Sequence, residues 1–213
     1  MSLTIVRGIP GSPFMRAVLM TLIEKNAPYR LEPVAPGQHK SPNYLAKHPF
    51  GRVPVIEQDG FVLYETQAIL RYLDRTLPTP ALTPADPRAA ARMDQAMNIS
   101  DWYLFRIIGV PIMFNRVVAP RIGLPVNEAA VAAALPEARA CFASIEAFLG
   151  DRTYLAGEAL TLADLHMAPH LDMLGECAEG REMLAGTRLA AWLERMRARP
   201  GMAATTWDRL LAA

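Results

Sequence analysis

Several things are scarce in this chain, and each scarcity narrows what it can be. Among 213 residues there are two cysteines, Cys141 and Cys177. Both fall in stretches that read as helical, which argues against a disulfide framework and points to a reducing, cytoplasmic setting. One-sided charge is missing too. The formal net charge is +1, with acids and bases interspersed, so the basic stripe of a nucleic-acid binder is absent. No uninterrupted apolar run approaches the ~20 residues of a membrane span. The opening Met1-Ser2-Leu3-Thr4-Ile5-Val6 lacks the charged start and apolar region of a secretory signal. Neither a membrane nor a nucleic acid is therefore expected as a partner. Repeats and low-complexity tracts are also absent. What remains is 52% apolar and 20% charged, an ordinary globular balance with length for one large domain or two modest ones.

The first eighty residues mix two periods. Leu3 to Val6 reads as a buried strand stopped by Gly8, Pro10 and Gly11. From Ser12 to Asn26 Phe14, Val18, Leu22 and Ile23 share a helical face, with Ser12 suited to the N-cap and Pro13 to the first turn. Tyr29 to Val34 alternates like a strand, and a polar stretch from Gly37 to Tyr44 reads as loop with a short helix. Val53 to Ile56 and Phe61 to Tyr64 flank Asp59-Gly60, a hairpin signal. Thr66 to Arg75 is helical again. The order β-α-β then β-β-α predicts one parallel strand pair with an antiparallel hairpin at the edge.

Pro78, Pro80, Pro84 and Pro87 then crowd a segment that can be neither helix nor central strand, and residues 79–87 are assigned as a linker. Beyond it the strand signals vanish. Helices are expected over Ala89–Phe114, Glu128–Leu149, Leu162–Leu174 and Leu189–Arg199. Thr161-Leu162-Ala163-Asp164 is a capping box with Asp at its last position, flanked by Leu160 and Leu165 at the staple positions. The domains are thus 1–78, α/β, and 88–213, all-helical.

Four elements of the first half can meet a ligand. Ser12 stands at a helix N-terminus, where unpaired N–H groups and the helix dipole favour an anion; it can donate to that anion or simply cap its own helix. Val53-Pro54 is either an edge-strand proline or a cis peptide that turns backbone groups outward. Glu65-Thr66 offers a carboxylate, a hydroxyl and helix N–H groups for a carboxylate with an ammonium, or serves as an N-cap. His39-Lys40 suits a second carboxylate, or is solvated surface. Each element is ambiguous alone. Together they receive two carboxylates, an ammonium and a thiolate, which is the inventory of glutathione.

At this point the chain resembles a family. Gly8-x-Pro10-x-Ser12-x-x-x-Arg16, His39-Lys40, Pro49-Phe50-Gly51-Arg52-Val53-Pro54, Glu65-Thr66-x-Ala68-Ile69, and later Leu160 to Leu165 with Pro169 are similar to the cytosolic glutathione transferases. The similarity is greatest to the serine-type, phi-like class. The resemblance implies a thioredoxin-like N-terminal domain, an all-helical C-terminal domain and a homodimer. It implies that Ser12 donates to the glutathione sulfur and that the backbone of Val53, ahead of a cis Pro54, pairs with the cysteinyl part. Glu65 and Thr66 would then hold the γ-glutamyl end, and His39 and Lys40 the glycine carboxylate. Arg52 stands where the phi-like pattern often has glutamine, so it either contacts that carboxylate or forms a surface pair. Phe50 matches an aromatic that some members insert into a partner subunit, or packs within its own domain.

The activity implied is conjugation of the glutathione thiolate, glutathione being the co-substrate, to a small hydrophobic electrophile. Peroxidase, dehalogenase or isomerase chemistry would use the same thiolate, and the alternative is a non-catalytic glutathione-binding module on the same fold. Phe14, Met15, Trp102, Phe105 and Met113 are candidates for the hydrophobic substrate site, although core packing or a dimer contact is the simpler reading for most such clusters. Asp101 could polarise a ligand, although a surface acid is the simpler reading. His166 and His170 have the spacing to clasp a metal but lack a third ligand, so no metal is expected. No nucleophile elbow surrounds any serine. In Ser12-Pro13-Phe14-Met15 neither position of a glutaredoxin dithiol holds cysteine, which excludes thiol exchange there.

Overall fold

The computed structural model describes residues 2–35, 37–77 and 79–212. They gather into two compact units, one running up to Thr83 and rejoined by the segment from Arg197 on, the other Pro84–Met196.

In the first unit β1 (Thr4–Gly8) leads into α1 (Pro13–Glu24), β2 (Tyr29–Pro33), a single 3-10 turn (Gln38–Lys40) and α2 (Pro42–Leu45). The hairpin β3 (Val55–Gln58) and β4 (Phe61–Tyr64) and then α3 (Thr66–Thr76) complete it. The sheet order is β2-β1-β3-β4, with β1 and β2 parallel and the other two pairings antiparallel. This is the expected mixed sheet of a thioredoxin-like domain. Asp59 and Gly60 both take positive φ, 51° and 81°, as a two-residue turn matched to strand twist requires.

Apolar spacing explains the packing. Val18, Leu19 and Leu22 on α1 and Ile69, Leu70 and Leu73 on α3 are fully buried, each worth about 1.5–3 kcal/mol as area removed from water. The C-terminal segment, read from sequence as part of the helical domain, folds back on α1. Arg16, 3% exposed, donates from Nη2 to the Met202 carbonyl at 3.3 Å and from Nε to Thr205 Oγ1 at 3.4 Å. Arg199 grips the Glu24 carboxylate through Nε and Nη2 at 2.7 and 2.6 Å. These long-range bonds have no periodic signature, which is why the sequence did not reveal them. Pro78 lies outside the described residues. Pro80 and Leu82 are tied to the first unit through Lys25 and Asp74, whereas Pro87 opens a helix capped by Asp86.

The second unit opens on a 35-residue helix, Pro87–Arg121. It comprises α4 (Pro87–Ile99), a wider π-type stretch over Ser100–Val118 and α5 (Ala119–Arg121). By length and composition this helix could cross a membrane, with a window of mean hydropathy 1.2, of which 39% is buried within the protein. A search for uninterrupted apolar runs misses it because Asp101, Arg106 and Arg116 punctuate it. Two of the expected helices, α6 (Glu128–Leu149) and α7 (Leu162–Leu174), pack along it. α8 (Ala178–Leu184) and α9 (Arg188–Arg197) follow, and α10 (Pro200–Ala204) and α11 (Trp207–Leu211) then belong to the first unit.

All of α7 except Asp172 is buried. Its capping box forms: Thr161 donates to Asp164 Oδ2 from both its N–H and its hydroxyl at 2.9 Å. Burial pushes the Asp164 carboxyl up, opposed by bonds from Leu155, Trp192 and Thr161.

Candidate active site

The sheet register brings the predicted elements to one edge. Arg7 pairs with Val55 and Val55 with Tyr64, so the end of β1, the start of β3 and the end of β4 lie side by side. Ser12 follows the first, Val53-Pro54 precedes the second and Glu65-Thr66 follows the third. β2 ends at the same edge, with Pro33 opposite Gly8, and feeds the loop carrying His39, Lys40 and Arg52.

Ser12 is the N-cap of α1 (φ −60°, ψ 121°). Its Oγ accepts from the Met15 N–H at 3.5 Å, at the outer limit of a hydrogen bond. No acceptor for the hydroxyl hydrogen lies among the described residues, so capping and donation to a ligand are compatible. The turn before it needs Gly11, at φ 86°, because a Cβ there would overlap the Trp207 ring.

Val53 and Pro54 are joined by a cis peptide. Neither backbone group of Val53 is hydrogen-bonded among the described residues. Glu65 holds φ 70°, ψ 112° and caps α3 without its side chain. A non-glycine residue there costs about 1–3 kcal/mol, and such strain concentrates at ligand clamps. Glu65 is exposed, whereas Thr66 is 8% exposed at the first turn of the helix.

The loop forms a cationic corner. Lys40 Nζ donates to the carbonyls of Gly51 at 2.9 Å and Phe50 at 3.4 Å, which leaves one of its three N–H bonds to spare. Gly51 sits at φ 56°, and a Cβ there would meet the His39 carbonyl and the Lys40 ammonium. Burial, then Lys40 and Arg52, hold the His39 pKa below its usual value. No carboxylate is among the charges acting on it. The Arg52 side chain is exposed, and its carbonyl accepts from Tyr44 Oη at 2.9 Å. Sequence reasoning missed Tyr44 and His48, which stand four apart around α2 and pack inward beneath this corner; that spacing was the available signal.

The apolar candidates separate by burial. Trp102 is 54% exposed, with the Arg106 guanidinium 4.1 Å above its ring. Phe14 and Phe105 are half-buried. Met15 and Met113 are not surface residues: they are 0% and 1% exposed, Met15 filling the space beside Gly8, so both serve as core. Asp101 is likewise no simple surface acid, since its Oδ1 lies 3.2 Å from Nε2 of the fully buried His166. His170 Nδ1 lies 3.1 Å from the His166 carbonyl, a helix-packing arrangement. Among the described residues no His, Cys, Asp and Glu group has a metal-binding arrangement.

The fold is thus a thioredoxin-like domain, with the candidate site residues gathered at one end of its sheet, and a separate helical unit. Comparison with known proteins gives the family. Residues 7–81 match the model of the glutathione S-transferase N-terminal domain, and residues 94–200 that of the C-terminal domain. A glutathione S-transferase of Hyoscyamus muticus is 31% identical over 199 residues, spanning 92% of this chain and 93% of the relative. Human glutathione S-transferase theta-2B is 34% identical over 188 residues, spanning 86% of this chain and 76% of the relative. Among solved structures, glutathione transferase F7 of Populus trichocarpa superposes with a TM-score of 0.84 at 28% identity, covering 95% of this chain and 97% of that one. The chain belongs to the glutathione S-transferase family.

Proposed function

We propose that this chain is a glutathione transferase in which Ser12 stabilises the thiolate of bound glutathione for attack on a small hydrophobic electrophile. The observation that carries the reading is the Ser12 hydroxyl, whose hydrogen has no acceptor among the described residues, at a helix N-terminus on the same edge as the Lys40–Arg52 corner and the start of α3. The Val53 backbone pairs with the cysteinyl part. Glu65, Thr66 and the N-terminus of α3 take the γ-glutamyl ammonium and carboxylate. His39, Lys40 and Arg52 take the glycine carboxylate, which supplies the anion their mutual repulsion calls for.

The energetics suffice. A free thiol of pKa ~8.5 is a few per cent ionised at neutral pH, and the thiolate is the nucleophile. Lowering that pKa by about two units corresponds to roughly 2.7 kcal/mol. A hydroxyl bond to an anion supplies ~1.5–3 kcal/mol and a helix terminus up to ~1 more. Ser12 forms no covalent bond; it lowers the energy of the anion.

Family membership and the exposure of Phe50, at 68%, support a homodimer. Two buried free thiols fit a cytoplasmic setting, and conjugation of hydrophobic electrophiles is detoxifying chemistry. The exposed Trp102 and half-buried Phe14 and Phe105 remain as candidates for the electrophile site.

The test is a glutathione titration across about pH 5 to 9, following thiolate absorbance, with Ser12→Ala alongside. Bound glutathione should ionise well below its solution pKa, and less so in the variant. Binding without ionisation would indicate the non-catalytic module. No binding would refute the reading.

A further inference from the structure

A second feature of the same edge is a packed aromatic group. His48 is 2% exposed. Its ring stacks on Tyr64 with centroids 4.5 Å apart and planes at 27°. Phe50 meets His48 edge-on at 6.2 Å and 87°, and Tyr64 at 6.4 Å and 69°. Offset and edge-on pairs of this kind contribute beyond the area they bury. The backbone of His48 is also committed, its N–H to the Tyr44 carbonyl at 2.9 Å and its carbonyl to the Gly51 N–H at 2.8 Å. One ring therefore joins two parts of the edge. On one side is the turn through Gly51 and Arg52, to which Lys40 is tethered. On the other is Tyr64, the residue before Glu65.

We infer that His48 is a positioning residue for glutathione: its neutral ring, stacked on Tyr64, fixes the spacing between the Lys40–Arg52 corner and the Glu65–Thr66 receptor. The inference rests on the glutathione-binding reading above. Glutathione reaches both receptors at once, so a displaced turn costs affinity even though His48 touches no ligand.

The position also makes this lock sensitive to acid. His48 Nδ1 is buried with no hydrogen-bond partner among the described residues. Against the ring pack Tyr64 from β4 and Phe50 from the turn, the Tyr44 carbonyl of α2 accepts from the His48 backbone N–H, and the charged groups acting on the ring are Arg52 and Lys40. Burial, then Arg52 and Lys40, hold the His48 pKa below its usual value. Protonation would place an unpaired charge in a closed stack beside two cations. In the folded protein the ring therefore takes up its proton only below the usual histidine value of about 6.5, and the stack weakens as pH falls below that point.

The experiment measures the Kd of S-methylglutathione, whose sulfur does not titrate, by calorimetry from about pH 7.5 to 5.5. His48→Phe keeps a stacking ring without a proton, and His48→Gln keeps polarity without a ring. Wild-type binding should weaken on the acid side. His48→Phe should match it at neutral pH and not share that weakening. His48→Gln should bind roughly fivefold more weakly throughout. At saturating glutathione kcat should stay within about twofold in all three, because the thiolate donor is untouched. Protonating His39 would tighten binding, so it cannot mimic the effect. Acid-side weakening that persists in His48→Phe overturns the inference, as does wild-type affinity in His48→Gln. Should His48→Gln fail to fold, the comparison with His48→Phe decides alone. Failure of the wild type to bind at all would instead overturn the glutathione reading.

Discussion

The indole Nε1 of Trp192 donates to Oδ1 of Asp164 at 2.9 Å, both residues being 0% exposed. The same carboxylate accepts the backbone N–H groups of Leu155 and Thr161 and the Thr161 hydroxyl, each at 2.9 Å. Asp164 thus joins the loop before α7, the start of α7 and the middle of α9. Asp164→Ala leaves several buried donors without an acceptor, each costing about 1–3 kcal/mol. A loss of roughly 4 kcal/mol or more is expected, a large part of a typical 5–15 kcal/mol. Trp192→Phe, which removes one donor, should cost far less. Thermal unfolding of the two variants checks this, and equal melting temperatures would refute it.

Lys25 and Asp74 form a second buried node, with side chains 1% and 6% exposed and Nζ 2.5 Å from Oδ1. Lys25 also donates to the Pro80 carbonyl, and Asp74 accepts from the Leu82 N–H at 2.9 Å. Removing one partner of a buried pair costs about 3–5 kcal/mol, whereas replacing both with apolar groups can be neutral. Lys25→Met should therefore destabilise strongly, and Lys25→Met with Asp74→Leu should recover much of the loss. Burial pushes the Asp74 carboxyl up, but bonds from Lys25, Thr83 and Leu82 outweigh it and leave its pKa lowered. The node's stabilisation should therefore be present above about pH 4 and be lost as pH falls further. Urea melts across that range test the sign.

Much of this was legible because it is local. Asp59-Gly60 announces its hairpin, Ser12-Pro13 its helix start and Thr161 to Asp164 its capping box, since each depends on residues three or four apart. The candidate site elements were legible as a set, and come together at one end of the sheet, because each ends or begins a readable strand or helix. What stayed hidden depends on distant partners. Arg16 reads as one more charge on a helix until Met202 and Thr205 arrive from the far end of the chain. Met15 and Met113 read as pocket residues because composition cannot say which side of a helix is covered. The His48–Tyr64 stack needed the strand register.

Tyr44 supplies a prediction at alkaline pH. Its hydroxyl donates to the Arg52 carbonyl at 2.9 Å, immediately before Val53. Burial pushes its pKa up to about 12, with Arg7 opposing. The phenol should ionise about two pH units later than an ordinary tyrosine. A folded pKa above the unfolded value means that the bond's contribution is intact below about pH 10 and lost as pH rises through about 12. Ultraviolet titration of wild type against Tyr44→Phe should assign one late-ionising phenol to this residue. The variant should lose about 1 kcal/mol of stability. Absence of a late phenol in the difference titration would refute the assignment.

Lys40 and Arg52 supply a prediction that also identifies what they bind. Each acts on His39 to lower its pKa, so the corner is short of negative charge. If the glycine carboxylate fills it, Lys40→Met should raise the glutathione KM by roughly tenfold, the equivalent of one charge-assisted bond, with kcat little changed. Added salt should weaken wild-type binding more than that of the variant, because the corner is exposed and its charges are screened. In unliganded Lys40→Met the His39 pKa should rise toward its usual value, a change readable by NMR titration. The decisive comparison is γ-glutamylcysteine, which lacks the glycine. It should bind wild type more weakly than glutathione does, and should be nearly indifferent to Lys40→Met. If the variant weakened both peptides equally, the corner would be supporting the loop and the glycine carboxylate would lie elsewhere.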